Sequence, residues 1–253
     1  MKIEGLVAVV SGGASGLGEA TARHLAALGA QVAIVDFDKD KAEAVARDIG
    51  GLSVKTDVSD EKSVSEAIDS VESQLGVPRI AVSCAGIALG ARIVGREGQP
   101  SFEVFQRTMS VNLFGSYYLM THAAARMMKL DALTDGERGV IINTSSVAHE
   151  DGQLGQVAYA ASKGAIASKC LPAAREFART CIRVMAIAPG LFKTPMMENL
   201  PEEVTERITA DIPFPARLGD PTEYALLAEH IITNPFLNGT TIRLDGAVRL
   251  PPR

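Results

Sequence analysis

The sequence predicts an α/β protein of the Rossmann-type doubly wound class, a single domain in which a seven-stranded parallel sheet carries helices on both faces. Three observations predict it. Short β-branched runs alternate with helical patterns from one end of the chain to the other. Several of these runs are apolar without alternation, as strands buried on both sides are. The first run passes directly into a glycine-rich turn and then a helical pattern.

The elements follow in order. A strand over Leu6–Ser11 leads through Gly12-Gly13-Ala14-Ser15-Gly16-Leu17-Gly18 into a helix over Gly16–Leu28. A second strand, Gln31–Asp36, precedes a helix over Lys39–Ile49, for which Asp38 is the better-placed N-cap. Leu52–Thr56 and Glu61–Leu75 form the third pair, with Asp60 nearest the helix start. After a fourth strand, Ile80–Cys84, a long helix is expected over Ser101–Lys129. On it Phe102, Phe105, Met109, Leu113, Tyr117, Met120, Ala124 and Met127 recur at three- and four-residue steps, which reads as one core-facing stripe. A fifth strand over Gly139–Asn143 is followed by a helix over Gln156–Arg179. Its small residues, among them Ala160, Ala161, Gly164 and Ala165, allow close approach by a neighbouring helix or subunit, and Pro172 is expected to kink it. Ile182–Ala188, a helix over Pro221–Thr233 and a strand over Thr240–Leu244 complete the pattern. The loops Ala88–Pro100, Asp131–Arg138 and Thr194–Phe214 are the expected seats of substrate choice.

Bulk composition narrows the function. The 253 residues, 47% hydrophobic and 22% charged, can enclose a full core, and a net charge of −5 lacks the basic footprint of a nucleic-acid binder. Three cysteines without a Cys-x-x-Cys pair suit buried thiols in a reducing compartment. The best apolar stretch, Ile182 to Phe192, is too short to span a membrane and is broken by Pro189-Gly190. Met1 to Gly5 run almost at once into an apolar strand, so a cytoplasmic location is expected, with the mitochondrial matrix as the alternative for a eukaryotic source. No metal site is expected, since His149-Glu150 lacks a second histidine at metal-binding spacing.

The strand-to-helix turn is a phosphate site by construction. Backbone N–H groups at a helix N-terminus attract an anion, and only glycine lets a pyrophosphate approach closely. Gly12, Gly16 and Gly18, with Ser15 and Leu17 between them, are therefore assigned to a dinucleotide. Asp36, eighteen residues after Gly18, stands where a carboxylate accepts from the adenosine ribose and repels a 2′-phosphate. Neither Ser15 nor Phe37 offers a cation there, so NAD is favoured over NADP. Asp57, with Val58 beside it, is assigned to the adenine, with an N-cap role as its competitor.

Past the fifth strand stand Asn143-Thr144-Ser145-Ser146, and at the start of the following helix Tyr159-Ala160-Ala161-Ser162-Lys163. Residues four apart share a helix face, so the Tyr159 hydroxyl and the Lys163 ammonium can reach one cleft. A free tyrosine titrates near ~10, too high for a base at neutral pH, and a nearby cation is expected to lower that value.

In these features the chain resembles the short-chain dehydrogenases/reductases over essentially its whole length. Ser11 to Gly18 match the family's glycine turn with serine for threonine, and Asn112, Ser146, Tyr159 and Lys163 match its catalytic positions. The family's Asn-Asn-Ala-Gly survives only as Ser83-Cys84-Ala85-Gly86, a loss of two amide side chains. The resemblance implies that Cys84, Ala85 and Gly86 contact the cofactor, that Ser146 rather than Ser145 orients the substrate oxygen, that Lys163 also binds the nicotinamide ribose, and that Asn112 holds a relay water. A plain helix distortion is the other reading of Asn112. The resemblance also sets Phe192 and Thr194 against the nicotinamide carboxamide and gives Pro189 to the cofactor; a plain strand-ending turn is the other reading of Pro189 and Gly190. Gly139–Thr144, Ile187–Phe192, Arg217–Pro221 and Asn234–Gly239 resemble the branch of the family that converts (S)-3-hydroxyacyl-CoA to 3-oxoacyl-CoA, with hydroxysteroids as further substrates. That branch implies a homotetramer. Arg92, Arg96 and Lys193 are candidate contacts for CoA phosphates, or else solvated loop charges. The competing readings are a 3-oxoacyl-carrier-protein reductase, usually NADPH-dependent, a general secondary-alcohol dehydrogenase, and a non-catalytic structural subunit.

Overall fold

The computed structural model describes residues 1–198 and 209–252. Seven parallel strands form one sheet in the order β3-β2-β1-β4-β5-β6-β7: β1 (Val7–Ser11), β2 (Gln31–Asp36), β3 (Leu52–Lys55), β4 (Ile80–Ser83), β5 (Gly139–Thr144), β6 (Ile182–Pro189) and β7 (Thr241–Leu244). The helices are α1 (Gly16–Ala27), α2 (Lys39–Ile49), α3 (Glu61–Leu75), α4 (Phe102–Thr108), α5 (Gly115–Met127), α6 (Val157–Phe177) and α7 (Pro221–Thr233), with a single turn over Pro195–Glu198. Every strand agrees with its sequence expectation to within one or two residues. Unbroken apolar runs leave few alternatives to a central strand.

Alternate residues of each strand feed two cores. Ile34, Ile80, Val140 and Met185 face Leu25, Tyr224 and Ile231 of α1 and α7. Val35, Ala81, Ile141 and Val184 face Ile68, Leu119, Met127 and Cys170 of α3, α5 and α6. Strand order reverses between β1 and β4, which opens a crevice beyond their carboxyl ends, where such folds bind ligands.

Two expectations need correction. The long helix expected over Ser101–Lys129 is interrupted by a π-helical turn, Met109–Phe114. An i→i+5 turn carries one extra residue and rotates everything beyond it, so the apolar stripe does not stay on one side. Met120, Ala124 and Met127 are buried as expected, whereas Phe102 is 72% and Tyr117 51% exposed. Of the cysteines only Cys170 is buried; Cys84 is half-buried and Cys181 is exposed, in the left-handed residue that ends a 3₁₀ turn. Within the expected loop Thr194–Phe214, 199–208 lie outside the described residues. Among the described residues no helix is long and apolar enough to cross a membrane, and no cluster of metal-ligating side chains occurs.

Candidate active site

The turn after β1 is built on its glycines. Gly12 and Gly16 hold φ of +66° and +54°, a region that side chains rarely tolerate. A Cβ on Gly18 would stand 2.1 Å from the Gly12 carbonyl oxygen, so the first turn of α1 closes on the loop only because no side chain intervenes. Ser15 is the N-cap of α1, yet its hydroxyl makes no capping bond, which leaves the helix N-terminus open to an anion. Across the cleft, a Cβ on Gly16 would lie 3.3 Å from Thr194 Cγ2. That gap is a cradle of backbone dimensions, and the donor set suits a pyrophosphate.

Asp36 ends β2 half-buried. Its Oδ2 accepts from the Ala14 N–H and its Oδ1 from the Asp38 N–H, both at 3.0 Å, so the carboxylate is fixed beside the glycine turn. Asp38 caps α2 and Asp60 caps α3, each accepting from a backbone N–H of its helix, which frees both Asp36 and Asp57 from that duty. Asp57 Oδ1 is instead held by the Ser59 N–H at 2.9 Å and the Ser59 hydroxyl at 2.6 Å. Val58 is packed against Gly115.

At the other end of the cleft, Lys163 is 4% exposed and its Nζ donates to the Thr144 carbonyl at 2.8 Å, 5.7 Å from the centroid of the Tyr159 ring. The two serines divide. Ser145 Oγ donates to the Lys163 carbonyl at 2.8 Å, whereas Ser146 accepts from the Ala148 N–H at 3.2 Å and lines the cleft with Tyr159. Sequence spacing had no physical means of choosing between them; the direction of each side chain in the fold does. Arg243 braces the loop that follows, reaching Asp151 at 2.6 Å and Asp245 at 2.8 Å.

The electrostatics differ from expectation. Burial raises the Tyr159 pKa above the ordinary tyrosine value, and the Ser146 hydrogen bond offsets only part of the rise. Burial also lowers Lys163 to about 8. A cation that itself resists being charged is a weak acidifier, so in the protein alone desolvation wins over the field of Lys163.

Every residue assigned to the cofactor from sequence, from Gly12 to Thr194, lines one cleft of about 1040 Å³ together with Ser146. Asn112 does not. It is 1% exposed at the centre of the π-helical turn, donating to the Ile87 carbonyl at 2.9 Å and Ser162 Oγ at 3.0 Å while accepting from the Ile87 N–H at 2.8 Å. Its side chain thus ties the loop after β4 to the helix bearing Tyr159. Arg92, Arg96 and Lys193 are exposed and outside the lining; the guanidinium that does line the cleft is that of Arg107. Phe37, Gln153, Gln156 and Leu250 also line it and were missed. Phe37 adjoins Asp36 in sequence and was available to find. Leu250 reaches the cleft because Gln153 Nε2 donates to the Pro251 carbonyl at 2.9 Å, a contact across ninety-eight positions with no sequence signal.

Comparison with known proteins agrees with this geometry. The pattern of the short chain dehydrogenases matches residues 6–205. The chain is 48% identical to 3-hydroxyacyl-CoA dehydrogenase type-2 of Homo sapiens, over 99% of this chain and 97% of that one, and 44% identical to the protein of that name from Drosophila melanogaster, over 99% and 100%. The crystal structure of 3-hydroxyacyl-CoA dehydrogenase type-2 from Mycobacterium avium is similar with a TM-score of 0.94 at 43% identity, covering 98% of each chain.

Proposed function

The chain belongs to the short chain dehydrogenases and is an oxidoreductase, and from that premise we propose that it interconverts an (S)-3-hydroxyacyl-CoA and the 3-oxoacyl-CoA with NAD as coenzyme. One observation carries the chemistry: Tyr159, sharing its cleft with Ser146 and backed by Lys163, faces the space that begins at the open N-terminus of α1. The names of the similar proteins support the thioester, and the fixed carboxylate of Asp36 supports NAD over its 2′-phosphorylated form.

Bound there, the oxidised nicotinamide supplies a hydride acceptor and a positive charge. Ser146 orients the substrate oxygen, Tyr159 takes the hydroxyl proton, and Lys163, anchored on Thr144, holds the ribose and the charge behind the phenol. Asn112 acts as a positioning residue by fixing Ile87 and Ser162. Arg107 is a cation on the cleft lining available to a substrate phosphate. The exposed Phe102, Phe105, Phe114 and Tyr117 of α4, the π turn and α5, with Val157 and Leu171 of α6, support assembly as a homotetramer through this face.

The test is a substrate panel: NADH formation with 3-hydroxyacyl-CoA esters of several chain lengths, a 3-hydroxyacyl carrier protein, a hydroxysteroid and a simple secondary alcohol. The CoA esters are expected to give the highest kcat/KM; a higher value with the carrier protein would reassign the substrate. The pH dependence follows from the same group. Oxidation needs Tyr159 without its proton, and burial holds that proton on, so kcat/KM for oxidation rises toward alkaline pH. Reduction needs Tyr159 protonated, so it falls toward alkaline pH; the Lys163 charge, lost as pH rises through about 8, serves both directions and limits the rise in oxidation. Coincident optima in the two directions would contradict the assignment.

A further inference from the structure

β2 and β3 run parallel with Asp36 and Lys55 as Cα partners, so their side chains leave the same face of the sheet about one strand spacing, ~4.8 Å, apart. Asp36 and Phe37 line the end of the cleft next to the glycine turn; Lys55 stands just outside that rim. Its ammonium lies 5.9 Å from the centroid of the Phe37 ring, which is itself 68% exposed. A second ammonium at this edge, Lys41, is neutralised by Asp38 at 3.0 Å. Lys55, by contrast, pairs with no carboxylate within 4.0 Å among the described residues. An uncommitted cation therefore flanks the position where Asp36 meets the adenosine ribose, although its place in the sequence, nineteen residues later and on another strand, gives no hint of this.

We propose that Lys55 is a cation already in place for the phosphate of a 2′-phosphorylated coenzyme, masked by the Asp36 carboxylate beside it, so that this site is one carboxylate away from accepting NADP. The inference rests on the coenzyme reading of the cleft given above. The Asp36 carboxylate is clamped by two backbone N–H groups and cannot swing away from an incoming phosphate. Like charges held at short range repel strongly, and the repulsion masks whatever attraction Lys55 offers. With that carboxylate neutral, the flexible four-carbon stem of Lys55 lets its ammonium leave the aromatic ring and meet the phosphate as a point charge.

The experiment is direct binding, by calorimetry, of adenosine 5′-diphosphate and of adenosine 2′,5′-bisphosphate to the purified protein and to Asp36→Ser, Lys55→Met and the double variant. The unaltered protein is expected to bind the 5′-diphosphate and to bind the 2′-phosphorylated nucleotide at least ~100-fold more weakly. Asp36→Ser is expected to remove most of that difference, and Lys55→Met added to it to weaken the 2′-phosphorylated nucleotide at least ~10-fold, less at high salt. Lys55→Met alone is expected to leave the 5′-diphosphate unchanged. Equal affinity of Asp36→Ser and the double variant for the 2′-phosphorylated nucleotide overturns the role of Lys55; no gain in Asp36→Ser overturns the role of Asp36. Failure of the unaltered protein to bind either nucleotide overturns the coenzyme reading itself, a separate result.

Discussion

Tyr159→Phe is expected to lower kcat for both oxidation and reduction by ~10²–10⁴-fold, the range over which a positioned acid–base group accelerates proton transfer, while NADH affinity changes little. The substitution removes one oxygen and keeps the ring, so the packing around it and the anchoring of Lys163 on the Thr144 carbonyl persist. Because Tyr159 exchanges its proton only in the reaction, the loss falls on kcat and not on coenzyme binding. Steady-state kinetics in each direction, with coenzyme fluorescence as the binding readout, decide the matter. A variant retaining a tenth or more of the original turnover would place the proton transfer elsewhere.

The second large effect is expected at Gly18. In Gly18→Ala the new Cβ would lie 2.1 Å from the Gly12 carbonyl oxygen and 2.7 Å from its carbon, both backbone atoms of the turn that frames the cleft. Neither can move aside without displacing β1 or the start of α1. Overpacking of this kind costs ~1–3 kcal/mol, which in a chain of this size is a fall in Tm of ~2–12 °C. Coenzyme affinity is expected to fall ~100-fold or more, because the backbone donors of the turn lose their alignment. Gly90→Ala is the control: nothing lies within 4 Å of its Cβ and its φ is not in the left-handed region. Melting curves and NADH titrations of both variants test this. Similar behaviour of the two would remove the special status of the turn.

The strands and most helices were legible because each is fixed by local rules that sequence displays directly. β5 has no polar residue before Asn143, and α2, α3 and α7 begin at Asp38, Asp60 and Asp220, all of which cap by side chain. Where the reading failed, the deciding contacts were non-local. At the π-helical turn the Asn112 side chain is spent on Ile87 and Ser162, partners twenty-five and fifty residues away that no local pattern shows. Lys169 looks like an ordinary helix surface residue, yet it lies between α5 and α6 with its Nζ on Ser116 Oγ at 2.6 Å, and burial lowers it to about 7.

By itself, then, the amino-acid order determined the layered fold, the glycine turn, the acidic end of β2 and the Tyr159–Lys163 pair, since period, capping and i,i+4 spacing act over a few residues. Only the tertiary structure decided that Arg107 and Leu250 line the cleft in place of Arg92 and Arg96, and that Tyr159 is made less acidic and not more. Those outcomes depend on which distant groups exclude water from a given atom, and desolvation is a property of the packed surroundings that no local pattern encodes.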